Sequence, residues 1–236
     1  MSDWKARRFW TETTVVDCEG GFTVELDGRP VRSPAKSPLI LPSREMAQAS
    51  AAEWHAQDGE VDPLTMPVTR AANAAIDKVA VQRQEVISMI AEYGDSDLTC
   101  YRASQPGELA ARQARSWDPL LDWAAENFGA RLIPVQGVVH VAQRPEMLQL
   151  LAEPLRCMTP FELTAMHDLI GLSGSLIIGL AASEKAFPLG FLWKSSRIDE
   201  DWQVEQWGED DEASALAETK RTAFFNAARF IDLARA

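Results

Sequence analysis

"FTVELDGRPVRSP", residues 22–34, reads as a β-strand, a turn and its return. Phe22, Val24 and Leu26 alternate with Thr23 and Glu25, the period of two that sends successive side chains to opposite faces of a strand. Asp27-Gly28 then turns the chain, since a two-residue hairpin turn needs residues that accept left-handed backbone angles. Pro30 in the returning arm predicts an edge position, where a missing N–H is harmless. Downstream, "PLILP" at 38–42 is a second short apolar strand between prolines. Ser43 predicts the N-cap of a helix running to about Gln57, with Asp58-Gly59 as its stop. The first sixty or so residues are therefore β-rich, and the Pro-rich "VDPLTMPVT" at 61–69 is a candidate linker.

Beyond residue 68 the period changes to that of a helix. Val79, Val86, Ile90 and Tyr93 recur at helical spacing, as do Leu109, Trp117, Leu120, Leu121, Ala124 and Phe128 after a break at "SQPGE". "RLIPVQGVVHV", 131–141, is the one later segment with β character and suits at most a short hairpin. "TPFE", 159–162, predicts a helix start in which Thr159 caps, Pro160 takes the first helical position and Glu162 completes a capping box. It leads into "LIGLSGSLIIGLAA", 169–182, whose 14 residues fall short of the roughly 20 needed to span a bilayer. A buried central helix over about 163–182 is expected, with Gly171, Gly174, Ser175 and Gly179 letting neighbours approach. A last helix from about Glu212 places Leu216, Ala223, Phe224, Ala227 and Ile231 on one face. The fold class expected is α+β: a small β-rich N-terminal domain, residues 1–67, followed by a larger all-helical domain, residues 68–236.

Composition narrows the function. At 46% hydrophobic and 25% charged residues the chain has the make-up of a globular protein. Its net charge of −12 argues against nucleic-acid backbones and anionic membranes as partners. That charge is local. "RIDEDWQVEQWGEDDEA", 197–213, holds eight acids, and without them 27 acids face 23 bases. Cys18, Cys100 and Cys157 form no CxxC pair, which suggests reduced thiols rather than a disulfide framework or zinc site. The start "MSDWKARRFW" has no apolar core of a secretory signal.

Catalytic constellations are hard to find. His55, His140 and His167 lack a second ligand at metal spacing. "GLSGS", 171–175, departs from GxSxG at Ser175 and lies inside a helical run. There is no GxGxxG or GxxxxGK[ST]. "EYGDSDLTCYRA", 92–103, offers Asp95 and Asp97, which could hold Mg²⁺ for a small enzyme or merely cap and turn the chain; with no third ligand the turn is favoured. The acidic stretch is harder to explain locally. Asp210, Asp211 and Glu212 suit the first turn of a helix, but Asp199, Glu200 and Asp201 lie well before it. Acids interleaved with Trp202 and Trp207 suit a partner surface with basic and apolar parts.

At this point the chain resembles the ATP synthase assembly factor 2 family, chaperones for the alpha subunit of the enzyme's catalytic head. The resemblance is carried by "RFW" at 8–10, "LDGRPVRSPA" at 26–35, "PLTMPVTRAANAAID" at 63–77, "YGDSDLTCYRA" at 93–103, "WDPLLDW" at 117–123 and the acidic stretch itself, in order along nearly the whole chain. It implies a non-enzymatic chaperone, without cofactor or metal, that holds the unassembled alpha subunit until beta replaces it. It implies a partner-binding site within Asp199, Glu200, Asp201, Trp202, Glu205, Glu209 and Asp210, with Glu200 the foremost acid. Because the first shared motif begins within ten residues of the start, a bacterial, cytoplasmic member is expected, monomeric when free, where eukaryotic members work in the mitochondrial matrix. Two alternatives stand beside it: a small Mg²⁺-dependent enzyme using Asp95 and Asp97, and an adaptor binding another basic partner through residues 199–212. On each view Trp207 is expected to be a packing residue.

Overall fold

The computed structural model describes residues 7–236; most of the stretch read above for a leader, residues 1–6, lies outside it. The fold is α+β, a small strand sheet followed by a larger helical region. By contacts the chain divides into two compact units. The first takes the chain up to Arg83 with Thr159–Ala165 and Arg229–Ala236; the second takes Gln84–Met158 and Met166–Ala228. We propose the boundary at 67/68, between a β-rich domain and a helical one, as a division by composition beside this division by contacts.

In the first unit, β1 (Thr13–Cys18), β2 (Gly21–Leu26) and β3 (Arg29–Pro30) form an antiparallel sheet in that order, so Pro30 sits on the edge strand. The turn from β2 to β3 has Asp27 at φ 49 and Gly28 at φ 75, the pair of left-handed residues that a tight hairpin requires. Asp27 also accepts hydrogen bonds from the backbone N–H groups of Glu12 (2.8 Å) and Thr11 (3.1 Å). These lower its pKa against the opposing effect of burial, the Glu12 bond contributing most. "PLILP" forms no regular strand; Leu41 instead exchanges two backbone hydrogen bonds with Phe22, at 2.8 and 2.9 Å. Helix α1 (Arg44–His55) starts at Ser43, whose hydroxyl accepts from Met46 N–H. Helix α2 (Pro67–Ala74) continues into a wider turn over Ala75–Val79, where Asp77 accepts from the Ser33 hydroxyl at 2.6 Å and Ala35 N–H at 3.0 Å. Two of the motifs that carried the resemblance thus meet in one contact.

The second unit begins with α3 (Arg83–Ala91, its first residue belonging to the first unit) and two short 3₁₀ turns, then β4 (Tyr101–Arg102) and α4 (Gly107–Phe128). Helix α4 buries Trp117, Leu120, Leu121 and Ala124 as its period predicts, and the Trp117 indole donates to Ser195 C=O at 2.8 Å. The segment "RLIPVQGVVHV" is not a hairpin: β5 (Val135–Gln136) pairs in parallel with β4. Helix α5 (Pro145–Cys157) follows, then α6 (Pro160–Ser173, its residues up to Ala165 belonging to the first unit) with the expected capping box, Thr159 N–H to Glu162 Oε2 at 2.8 Å.

The single central helix expected over 163–182 is two helices. Gly174 takes φ +69, a left-handed geometry that ends α6, and Ser175 restarts the chain as N-cap of α7 (Leu176–Ser183). The apolar run is nonetheless buried throughout α7. Of the small residues expected to allow close approach, Gly179 does so: a Cβ there would lie 2.5 Å from Ile170 Cγ1. Then come α8 (Leu189–Ser195), α9 (Ile198–Trp207) and α10 (Asp211–Ala234, its residues from Arg229 on belonging to the first unit); α10 buries Phe224, Ala227 and Ile231 but leaves Leu216 exposed.

Candidate functional site

The stretch that raised the question of function is α9, the turn at Gly208–Asp210 and the start of α10. Arg197 makes no side-chain cap on α9, so Asp199, Glu200 and Asp201 place negative charge at its open N-terminus, where the helix dipole favours it. At 100° per residue these acids cannot share one face, and the contacts divide them.

One face is fastened to α4. Asp199 Oδ1 accepts from Gln113 Nε2 at 2.6 Å, and the Gln113 amide is itself fixed by Ala103 N–H at 2.7 Å. Glu205 takes Arg112 Nη1 on both oxygens, at 2.7 and 2.8 Å. Trp202 lies on this side and is half-buried. Asp199 and Glu205 therefore hold the helix down. Gln113 and Arg112, which do the holding, were not singled out from sequence, since nothing in "AARQARSW" says which polar residue will meet α9.

A second face lines a cleft of about 230 Å³ against α10, bounded by Trp193, Lys194, Arg197, Asp201, Glu209, Ser214, Ala217, Glu218 and Arg221. Burial pushes the Asp201 carboxyl up; Arg197 and Arg112 oppose this, Glu205 adds to it and Lys194 opposes it. Glu209 accepts from the Ser214 hydroxyl at 2.8 Å, and Asp210 caps α10 by accepting from Ala213 N–H at 2.8 Å.

The third face points outward and carries Glu200, Val204 and Trp207, spaced four and three apart. Glu200 is exposed and bonds Arg197 at 2.8 Å, one turn back. Trp207 is 83% exposed, which corrects its expected packing role. The helix ends at Gly208 directly after it, so nothing of the next turn closes over the ring. The side of α9 that carries Asp199 and Glu205 meets α4, and Trp207 lies on the other side; which side would meet α4 is not written in the local sequence.

Asp95 and Asp97 do not converge on an open site. Asp97 is fully buried, and its carboxylate accepts from Thr99 N–H (3.0 Å), Thr99 Oγ1 (2.7 Å), Ser175 Oγ (2.7 Å) and Ile177 N–H (3.1 Å). It caps both a 3₁₀ turn and α7. Asp95 accepts from Gln143 N–H at 2.7 Å and faces His140 Nε2 at 3.3 Å. Their oxygens serve the fold, and among the described residues no group of three or more His, Cys, Asp or Glu is placed to hold a metal.

Comparison with known proteins first defines the class, a chaperone fold. The chain aligns over 99% of its length with all of the crystal structure of Atp12 from Paracoccus denitrificans, at 46% identity and a TM-score of 0.95. A protein of Agrobacterium tumefaciens matches at 44% identity and 0.92, covering 96% of this chain and 85% of that one. The mitochondrial protein atp12 of Schizosaccharomyces pombe is 23% identical over 228 residues, 89% of this chain and 76% of that protein. Residues 7–125 match the family described as ATP12 chaperone protein, and this chain belongs to that family. The match spans in full five of the six motifs that carried the resemblance; the acidic stretch lies beyond it. No helix among the described residues is long and apolar enough to cross a membrane.

Proposed function

We propose that this protein holds the unassembled alpha subunit of the ATP synthase catalytic head until beta takes its place, and that it does so without catalysing a reaction. Membership of a chaperone family supports the holding role. The alpha subunit as client comes from the resemblance of the motifs. The observation that carries the site is the division of α9 described above: its contacts to α4 fix the helix and leave Glu200, Val204 and Trp207 to face a partner. In this reading the partner presents a basic and apolar surface, and Asp199, Asp201, Trp202, Glu205, Glu209 and Asp210 shape and charge the site around the outer stripe. The protein acts as a monomer in the bacterial cytoplasm.

The test is suppression of aggregation of purified alpha subunit, followed by light scattering. Glu200→Lys places a cation beside Arg197 and removes one exposed ion pair, so the free protein should lose at most about 1 kcal/mol of stability. Protection of the client should fall several-fold, and added salt should weaken the wild-type interaction as it screens exposed charge. A folded Glu200→Lys variant that protects as well as wild type removes Glu200 from the site. A wild-type protein that does not protect alpha removes the function.

A further inference from the structure

We propose that the loop from Ile133 to Gln143 is a braced apolar finger that enters an apolar groove on a protein client. Its surface composition is the first reason. Val138 is 93% exposed, Val139 76%, Ile133 53% and Val141 50%. Four aliphatic residues thus stand largely or half in water within nine positions of chain, and exposed apolar surface gathered on a monomer marks a functional surface.

Its frame is the second. Exposed valines on a slack loop would fold back onto the nearest core, whereas this loop is tied at base and flank. The buried Gln143 side chain spans the base, accepting from Ile133 N–H at 2.8 Å and donating to Ile133 C=O at 2.9 Å. Gln143 N–H donates to Asp95, whose other oxygen faces His140 Nε2 at 3.3 Å; His140 Nδ1 lies 3.0 Å from the Tyr101 hydroxyl. On the opposite flank Gly137 N–H donates to Arg102 C=O at 2.8 Å, extending the β4–β5 pairing. The frame holds the valines in water before any partner arrives, so little ordering remains to oppose binding. It also gives Asp95 and His140 a positioning role that neither had from sequence.

The occupant is a protein client rather than a second copy or a membrane. Two such loops packed together, with four exposed aliphatic residues each, are too small to bury by themselves the roughly 800 Å² per partner that a stable dimer needs. A net charge of −12 opposes approach to an anionic bilayer. The basic residues that flank the finger, Arg131 and Arg144, pair with Asp122 and Glu146 of this chain, so the contact is apolar in character. The inference rests on the reading of the chain as a holder of alpha subunit.

The test replaces Val138 and Val139 together with serine, Val139→Ser alone serving should the double variant fail to fold. Both side chains are exposed and neither belongs to the frame, so the urea midpoint should not move. Titration of purified alpha subunit should show binding about tenfold weaker, and the deficit should persist in high salt, unlike that of Glu200→Lys. If wild type binds alpha and the folded variant binds within twofold of it, the finger is wrong and the proposed function stands. If wild type does not bind alpha, both fall. A wild-type dimer in sedimentation, or wild-type binding to phosphatidylcholine vesicles, that the variant loses would reassign the loop and overturn the inference.

Discussion

Replacing Asp97 with alanine should be among the most damaging single changes in the second unit. The carboxylate is fully buried and receives four hydrogen bonds from two separate segments of chain. The Thr99 and Ser175 hydroxyls can rotate toward other acceptors, and Ser175 Oγ already accepts from Ile178 N–H. The backbone N–H groups of Thr99 and Ile177 cannot. Two buried donors left unpaired cost about 1–3 kcal/mol each. The void left by the carboxyl adds about 1 kcal/mol. Removing a desolvated acid returns part of this, so about 3–4 kcal/mol is expected, a large share of a typical total of roughly 5–15 kcal/mol. Asp97→Asn keeps the oxygen that takes three of the bonds but turns an amide NH₂ toward Ile177 N–H, and should cost about half as much. Burial raises the Asp97 pKa against the hydrogen bonds to Thr99, Ile177 and Ser175. With the folded value above the unfolded one, the wild-type advantage is full below the unfolded pKa, near 4, and declines as pH rises through the folded value. Urea unfolding of both variants at pH 5 and 7, with amide exchange at Thr99 and Ile177, measures this. An alanine variant within 1 kcal/mol of wild type, or an asparagine variant worse than the alanine one, would refute the reasoning.

Trp207→Ala should leave the unfolding free energy in urea within about 0.5 kcal/mol of wild type, because the ring is mostly in water, while weakening client binding measured by titration. Gly179→Ala should lower stability by about 1–3 kcal/mol, since its new methyl meets Ile170 Cγ1; adding Ile170→Ala should recover less than its own cavity takes away, and a neutral Gly179→Ala in thermal melts would contradict the packing. Burial acts to raise the Glu162 pKa, but Thr159 and Arg235 outweigh it and the net direction is down. Stability from this group is therefore present above its unfolded pKa and lost as pH falls through the folded one, so Glu162→Gln should flatten that part of the acid-denaturation curve.

Acidity in this protein has two uses that composition cannot separate. Asp199 and Glu205 spend their charge within the molecule, on Gln113 and Arg112, and Asp210 closes a helix end. Glu200, paired with Arg197, sits on the outer face that also carries the exposed Trp207 indole. Several partnered acids therefore position the few that face away, and substitutions across the stretch should split into those that loosen α9 and those that affect only a partner.

Local patterns were legible in the sequence. The hairpin at Asp27-Gly28, the Ser43 cap, the Thr159–Glu162 box and the buried face of α4 each follow from spacing within a few residues, where backbone geometry decides the outcome. The α+β class follows from the change of hydrophobic period near residue 68. Tertiary structure alone decided the rest. Gly174 breaks an apolar run that spacing reads as one helix, because Asp97, nearly eighty residues away, supplies the acceptor that lets α7 begin again at Ser175. Val135 pairs with Tyr101 in parallel rather than with its own neighbours. Whether Trp202 or Trp207 faces solvent depends on which side of α9 meets Gln113 and Arg112. Each of these is settled by a partner distant in sequence, and a pattern confined to one segment carries no information about where that partner will lie.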